Sequence, residues 1–148
     1  KFDSSGSRFL TYSADRNFVL WNSTTGEPTC AAQQCGSGFS ALFDPSGRKM
    51  LTDSFDGTIC LWDTTVGAKI EATVPHIQWY SSRPPPMFDP SGRWILSSSI
   101  DQTFRFWDMS TQDSTVVVDF DSAVTAFAYR SSSLVVGLAS GQVCFFSL

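Results

Sequence analysis

At 148 residues, 42% hydrophobic and only 16% charged, with a net charge of −4, the sequence argues against a general nucleic-acid or anionic-membrane binder. No apolar run approaches the roughly 20 residues of a spanning helix, and no signal-peptide pattern is visible. The charged fraction lies below the roughly 25% of ordinary soluble domains, so much of the surface is expected to be covered by neighbouring elements. The sequence starts at Lys1, without an initiator Met and partway through a repeat unit, and is expected to be part of a longer protein.

Taken in chain order, the sequence is a series of short strands punctuated by turns. Phe2-Asp3-Ser4-Ser5-Gly6 opens the first unit, followed by expected strands over 9–13 and 18–21. The landmark returns as Phe43-Asp44-Pro45-Ser46-Gly47, a hairpin turn in which Asp and Ser bond local backbone, Pro presets φ and Gly accepts positive φ. Strands are expected over 48–54, 58–62 and 68–74, separated by a tight turn at Phe55-Asp56-Gly57 and a break at Thr64-Thr65-Val66-Gly67. Residues 75–86 are the least regular. Pro84-Pro85-Pro86 falls where an innermost strand belongs, and proline cannot donate to a ladder, so a short, bulged or absent strand is expected there. The third landmark, Phe88-Asp89-Pro90-Ser91-Gly92, precedes strands over 94–99, 103–107 and 115–120; a decayed fourth copy gives 134–138 and 143–146.

Each landmark Phe is followed nineteen residues later by Trp21-Asn22, Trp62-Asp63, Trp107-Asp108 or, in the fourth copy, Phe146. The copies recur at intervals of 41, 45 and 39 residues, the mark of a stacked repeat architecture. Val, Ile, Phe, Trp and Thr in evenly spaced strands, with no helical period, define an all-β chain. Several strands are apolar on both faces, as in Ile59-Cys60-Leu61-Trp62, which calls for sheets stacked between other sheets.

These units resemble the WD-repeat family of β-propellers. The resemblance covers essentially the whole chain and implies four-stranded antiparallel blades, here a partial propeller and part of a ring of about seven. The blades would span 1–34 (lacking its first strand), 35–75, 76–120 and 121–148, and the ring would be closed by upstream sequence or a partner chain. In that family a turn Asp, a Ser or Thr of the second strand and the Trp of the third share a buried hydrogen-bond network, usually joined by a His. The matching sets are Thr11, Asp15 and Trp21; Thr52, Asp56 and Trp62; and Ser97, Asp101 and Trp107. Independently of the family, a buried indole needs an acceptor and a buried carboxylate needs donors. The departures are plain: Gln34, Trp79 and Val118 stand where the Gly-His pair would be, His76 is displaced by three residues, and the fourth copy has Val136, Ser140 and Phe146.

The resemblance also implies a partner surface at the turns before the third strands and at the entries to the first. The corresponding candidates are Ser37, Phe39, Phe55, Pro84, Ile100 and Asp121. Phe55, Ile100, Phe39 and Pro84 would supply an apolar hot spot, the plainer alternative being packing of each onto its own blade. Arg8, Arg48, Lys49 and Arg93 form a basic set at the first hairpins, and solvated hairpin charge is favoured over phosphate binding. Cys60 and Cys144 lie in apolar strand patterns, Cys30 and Cys35 are too loosely spaced for a zinc knuckle, and His76 alone completes no ligand set. No metal, cofactor or small-molecule substrate is expected. A reduced, intracellular setting follows from that cysteine usage. One histidine and no phosphate-cradling glycine pattern leave no persuasive catalytic constellation.

The expected function is a non-catalytic scaffold that binds other protein subunits inside an intracellular multiprotein complex, without direct nucleic-acid or membrane contact. The rival is a C-terminal sensing propeller of a nucleotide-switched signalling ATPase, which the ending Phe145-Phe146-Ser147-Leu148 would suit as a terminal blade. An RNA-contacting subunit of a processing complex is third.

Overall fold

The computed structural model describes residues 1–13, 17–30, 33–34, 38–54, 58–75, 84–99, 101–111 and 113–147. All regular structure among them is β, as expected, in four antiparallel sheets of three or four strands. The chain divides into two compact units, 1–76 and 77–148.

In unit 1, β1 (Arg8–Tyr12), β2 (Asn17–Asn22) and β3 (Gln33–Gln34) form a three-stranded sheet in chain order. A four-stranded sheet follows: β4 (Gly38–Phe43), β5 (Lys49–Ser54), β6 (Thr58–Asp63) and β7 (Ala68–Pro75). Leu10, Phe18 and Leu20 of the first sheet and Ala41, Met50, Cys60 and Trp62 of the second make one buried core. Its centre is an edge-to-face contact of Phe18 with Trp62, ring centroids 4.7 Å apart at 79°. Phe18 and Leu20 are wholly buried, and each contributes roughly 1.5–3 kcal/mol by leaving water.

Unit 2 pairs β8 (Met87–Phe88), β9 (Trp94–Ser98), β10 (Thr103–Asp108) and β11 (Ser114–Asp119) in one sheet. A second sheet holds β12 (Val124–Arg130), β13 (Ser133–Leu138) and β14 (Val143–Ser147). Phe104 occupies the repeat position of Phe18 and also makes an edge-to-face contact with the following sheet, though with Phe127 of β12, at 4.9 Å and 79°. The prolines at 84–86 lie ahead of their strand: among the described residues Met87 and Phe88 pair, with Leu96 and Ile95. Three consecutive residues without an N–H can donate nothing to a ladder, and the described pairing lies just after them.

Candidate functional site

The three tryptophans of the repeat sit on third strands, each paired across to the second strand. Trp62 pairs with Met50 and Trp107 with Ile95, so Thr52 and Ser97, two residues on, are diagonal neighbours on the same face. Across that diagonal Trp62 Nε1 donates to Thr52 Oγ1 at 2.9 Å and Trp107 Nε1 to Ser97 Oγ at 2.9 Å, both bonds buried. Trp21 makes the same bond to Thr11 at 2.7 Å, but on an open face.

Of the matching carboxylates, Asp15 and Asp56 lie outside the described residues. Asp101 is not the buried carboxylate that the repeat pattern suggests, since its side chain is 26% exposed. One oxygen accepts from Thr103 N at 3.0 Å and Thr103 Oγ1 at 2.6 Å, the other from an Arg105 guanidinium nitrogen at 3.1 Å. Burial is the largest single influence and pushes this carboxyl up. The Thr103 hydroxyl and amide, Ser99 and the Arg105 charge together hold it below the ordinary value. Arg105 Nε also donates to the Thr103 hydroxyl oxygen at 3.1 Å, and the guanidinium lies over the Trp107 ring at 5.9 Å. It therefore links the turn carboxylate to the indole in a copy that has no histidine. The signal was present in the alternation of Thr103, Arg105 and Trp107 on one strand face, and sequence reasoning passed over it.

Sequence reasoning also undervalued the landmark aspartates. Asp3, Asp44 and Asp89 are all buried, and each closes its hairpin in the same way. One oxygen accepts the backbone N–H five residues on, from Arg8 at 3.2 Å, Lys49 at 2.8 Å and Trp94 at 2.8 Å. The other accepts a serine hydroxyl, from Ser5 at 3.0 Å, Ser46 at 2.6 Å and Ser91 at 2.6 Å. The turn is completed by Gly6, Gly47 and Gly92 donating back to the aspartate carbonyls at 3.1, 3.0 and 3.0 Å. The residue after each Trp caps the next turn: Asp63 accepts the Thr65 amide at 2.7 Å, Asp108 the Ser110 amide at 2.8 Å, and Asn22 the Thr24 amide at 2.8 Å.

These turns also engage part of the basic set. Arg93 donates to Asp108 through two nitrogens, at 3.2 and 2.7 Å, and stacks over Trp94 at 5.1 Å. Together with Ser110, that pairing holds the Asp108 carboxyl far below the usual carboxylate range. The Arg8 guanidinium donates to the Thr64 carbonyl and hydroxyl at 3.1 and 2.8 Å.

One buried acid has no counterpart in the expected sites. Asp53 is 1% exposed; Ser40 donates to its Oδ1 through backbone N at 2.8 Å and Oγ at 2.6 Å. Its Oδ2 has no hydrogen-bond partner among the described residues, and burial raises its pKa despite those bonds. Ser40 also lines a cleft of about 220 Å³ with Lys1, Leu10, Tyr12 and Ala41.

The candidate partner residues are only partly placed. Ser37, Phe55 and Ile100 lie outside the described residues. Phe39 is in β4 at the register shift between Gly38 and Ser40, in unit 1. Pro84, half-buried, and Asp121, exposed before β12, belong to unit 2.

Residues 29–63 and 81–108 match a protein-family model, the WD domain, G-beta repeat. Each match ends on a Trp-Asp pair, Trp62-Asp63 and Trp107-Asp108. A comparison with curated proteins finds no match.

Proposed function

We propose that the chain, two of whose repeats match the WD-repeat model, is a WD-repeat protein that serves as a non-catalytic scaffold of an intracellular multiprotein complex. Repeats of this kind generally mediate protein–protein contacts and are typically non-catalytic. The observation that carries the reading is the construction of the matched repeats. Their turns are closed by buried or paired carboxylates and their tryptophans are locked to the neighbouring strand, so turn residues are presented from a rigid support. Rigid presentation limits the ordering entropy lost on association. The same hydrogen bonds account for the aspartates in structural terms, as acceptors for backbone and hydroxyl donors within turns. Engagement of Arg8 by Thr64 and of Arg93 by Asp108 weighs against the basic hairpins as a phosphate-binding rim.

The repeat pattern makes Phe55 and Ile100 the partner-binding positions to test. The test is affinity purification of the full-length parent protein beside a Phe55→Asp/Ile100→Asp variant whose melting temperature matches wild type. A stoichiometric set of protein subunits that the variant loses supports the scaffold. Recovery of the same set by the variant moves the binding surface elsewhere, and recovery of the protein alone overturns the reading.

A further inference from the structure

The first hairpins of the repeats divide three to one. In the first three an aspartate closes the turn and holds a serine of its tip. Ser5, Ser46 and Ser91 donate to Asp3, Asp44 and Asp89 at 3.0, 2.6 and 2.6 Å. The fourth hairpin runs Phe127-Ala128-Tyr129-Arg130-Ser131-Ser132-Ser133, with alanine where the aspartate belongs. Arg130 pairs directly with Ser133, so Ser131 and Ser132 alone make the loop. Both are exposed, as is Arg130. Among the described residues neither serine hydroxyl has a hydrogen-bond partner, and Arg130 has no ion pair.

The loop is also strained. Ser131 and Ser132 have φ of +49° and +66°. A two-residue loop of this hand needs positive φ at both positions, which Asn-Gly adopts readily and serine does not. Unwinding the tip releases that strain, so an extended form lies closer in free energy than it would for relaxed loop residues. Exposure of the tip does not depend on what covers the sheet. Pro45, Ser46, Pro90 and Ser91 are exposed as well, although their sheets are buried on opposite faces at Met50 and Leu51 and at Ile95 and Leu96.

We propose that the Ser131–Ser132 tip is a phosphorylation site for an arginine-directed serine kinase, and that the phosphate gives this hairpin the anion that aspartates give the other three. Transfer from ATP forms a bond between the serine Oγ and the γ-phosphorus and breaks the bond from that phosphorus to the β–γ bridging oxygen. ADP leaves, and the hydroxyl proton passes to the base of the kinase. Arg130 serves both stages. Before transfer it is an unpaired charge for an acidic kinase cleft to recognise; afterwards its guanidinium stands beside the phosphate and suits it for bidentate pairing. The site is independent of the partner positions tested above.

The test is incubation of the full chain with ATP and an arginine-directed serine kinase, the modified residues being followed in time by mass spectrometry. Phosphate is expected on Ser131 or Ser132 at least about tenfold faster than on Ser5, Ser46 or Ser91, whose hydroxyls must first leave a carboxylate. Arg130→Ala is expected to slow the reaction. Once modified, the wild-type chain is expected to melt at a higher temperature than before, and the Arg130→Ala chain is not. A free peptide of residues 127–135 serves as the control substrate. A kinase that modifies this peptide but leaves Ser131 and Ser132 of the chain untouched overturns the proposal, and so do similar rates at all four hairpins. A melting temperature that phosphate leaves unchanged, or raises equally in both chains, overturns the pairing with Arg130.

Discussion

The same indole–hydroxyl bond occurs in three settings, and burial decides its worth. Trp62 and Thr52 are each 2% exposed, whereas Trp21 and Thr11 face an open surface. Removing Trp62 leaves a cavity beneath Phe18 and an orphaned Thr52 hydroxyl, and both terms add. Trp62→Ala is therefore expected to lower the unfolding free energy by about 3–5 kcal/mol. Trp21→Ala is expected to cost less than half as much. Urea denaturation of both variants beside wild type makes the comparison, and equal losses would mean that Trp21 is covered in solution. Arg105 adds a second residue-scale lesson. It supplies a cation between Asp101 and the Trp107 ring, and the alternation of Asp101, Thr103, Arg105 and Trp107 into and along β10 carries that signal in the sequence itself.

At the scale of the element, the hairpin is the most determined part of the fold. Gly6 and Gly47 share a φ of +71° in equivalent turns, which L side chains adopt at a cost of about 1 kcal/mol. Their surroundings differ. A Cβ on Gly6 meets nothing within 4 Å, whereas one on Gly47 lies 3.1 Å from Asp3 Oδ2 in the neighbouring hairpin. Gly6→Ala is expected to cost only the conformational term, and Gly47→Ala that term plus the displacement of a carboxylate held by Arg8 N, Ser5 and Ser7. Thermal denaturation that ranks the two the other way would remove Asp3 from contact with the second hairpin. These hairpins and the strands around them were readable because their signals are local: Asp, Ser and Gly at fixed offsets, then alternating apolar residues. The expected strands over 58–62, 94–99 and 103–107 lie within one residue of β6, β9 and β10. The innermost strands were less legible. β4 is bulged at Phe39 and β8 shrinks to two residues after three prolines, features set by non-local pairing. Nor does the sequence announce that Asp53 is buried with one oxygen unpaired, since that depends on what packs around it.

Across the molecule, stability against pH is the sum of carboxylates pulled in opposite directions. Asp108 is lowered by the Arg93 bond, then by Ser110; Asp63 by the Thr65 hydroxyl and amide. Asp3 and Asp101 are lowered as well, because their hydrogen bonds outweigh the burial that raises them. A group whose folded pKa is depressed contributes stability that is present above its unfolded value of about 3.9 and is lost as pH falls through its folded pKa. Asp53 has the opposite sign. Burial raises its folded pKa, so its favourable contribution is complete below about pH 3.9 and is lost as pH rises through the raised value. The wild-type chain is thus expected to lose stability below about pH 4, while the raised pKa of Asp53 makes that group oppose folding as pH rises above about 3.9. Asp53→Asn separates the two effects. The amide oxygen keeps both Ser40 bonds, and the amide N–H₂ resembles the protonated acid in leaving a buried donor unpaired. At pH 7 the variant is expected to be more stable than wild type by on the order of 1 kcal/mol. The gain should vanish below about pH 4, where Asp53 is neutral in both the folded and unfolded chain. Urea midpoints of the two proteins from pH 3 to pH 8 give the comparison. A pH-independent difference would show that Asp53 is not held by burial but by a partner that neutralises it, and the cleft beside Ser40 would then be the place to look for that partner.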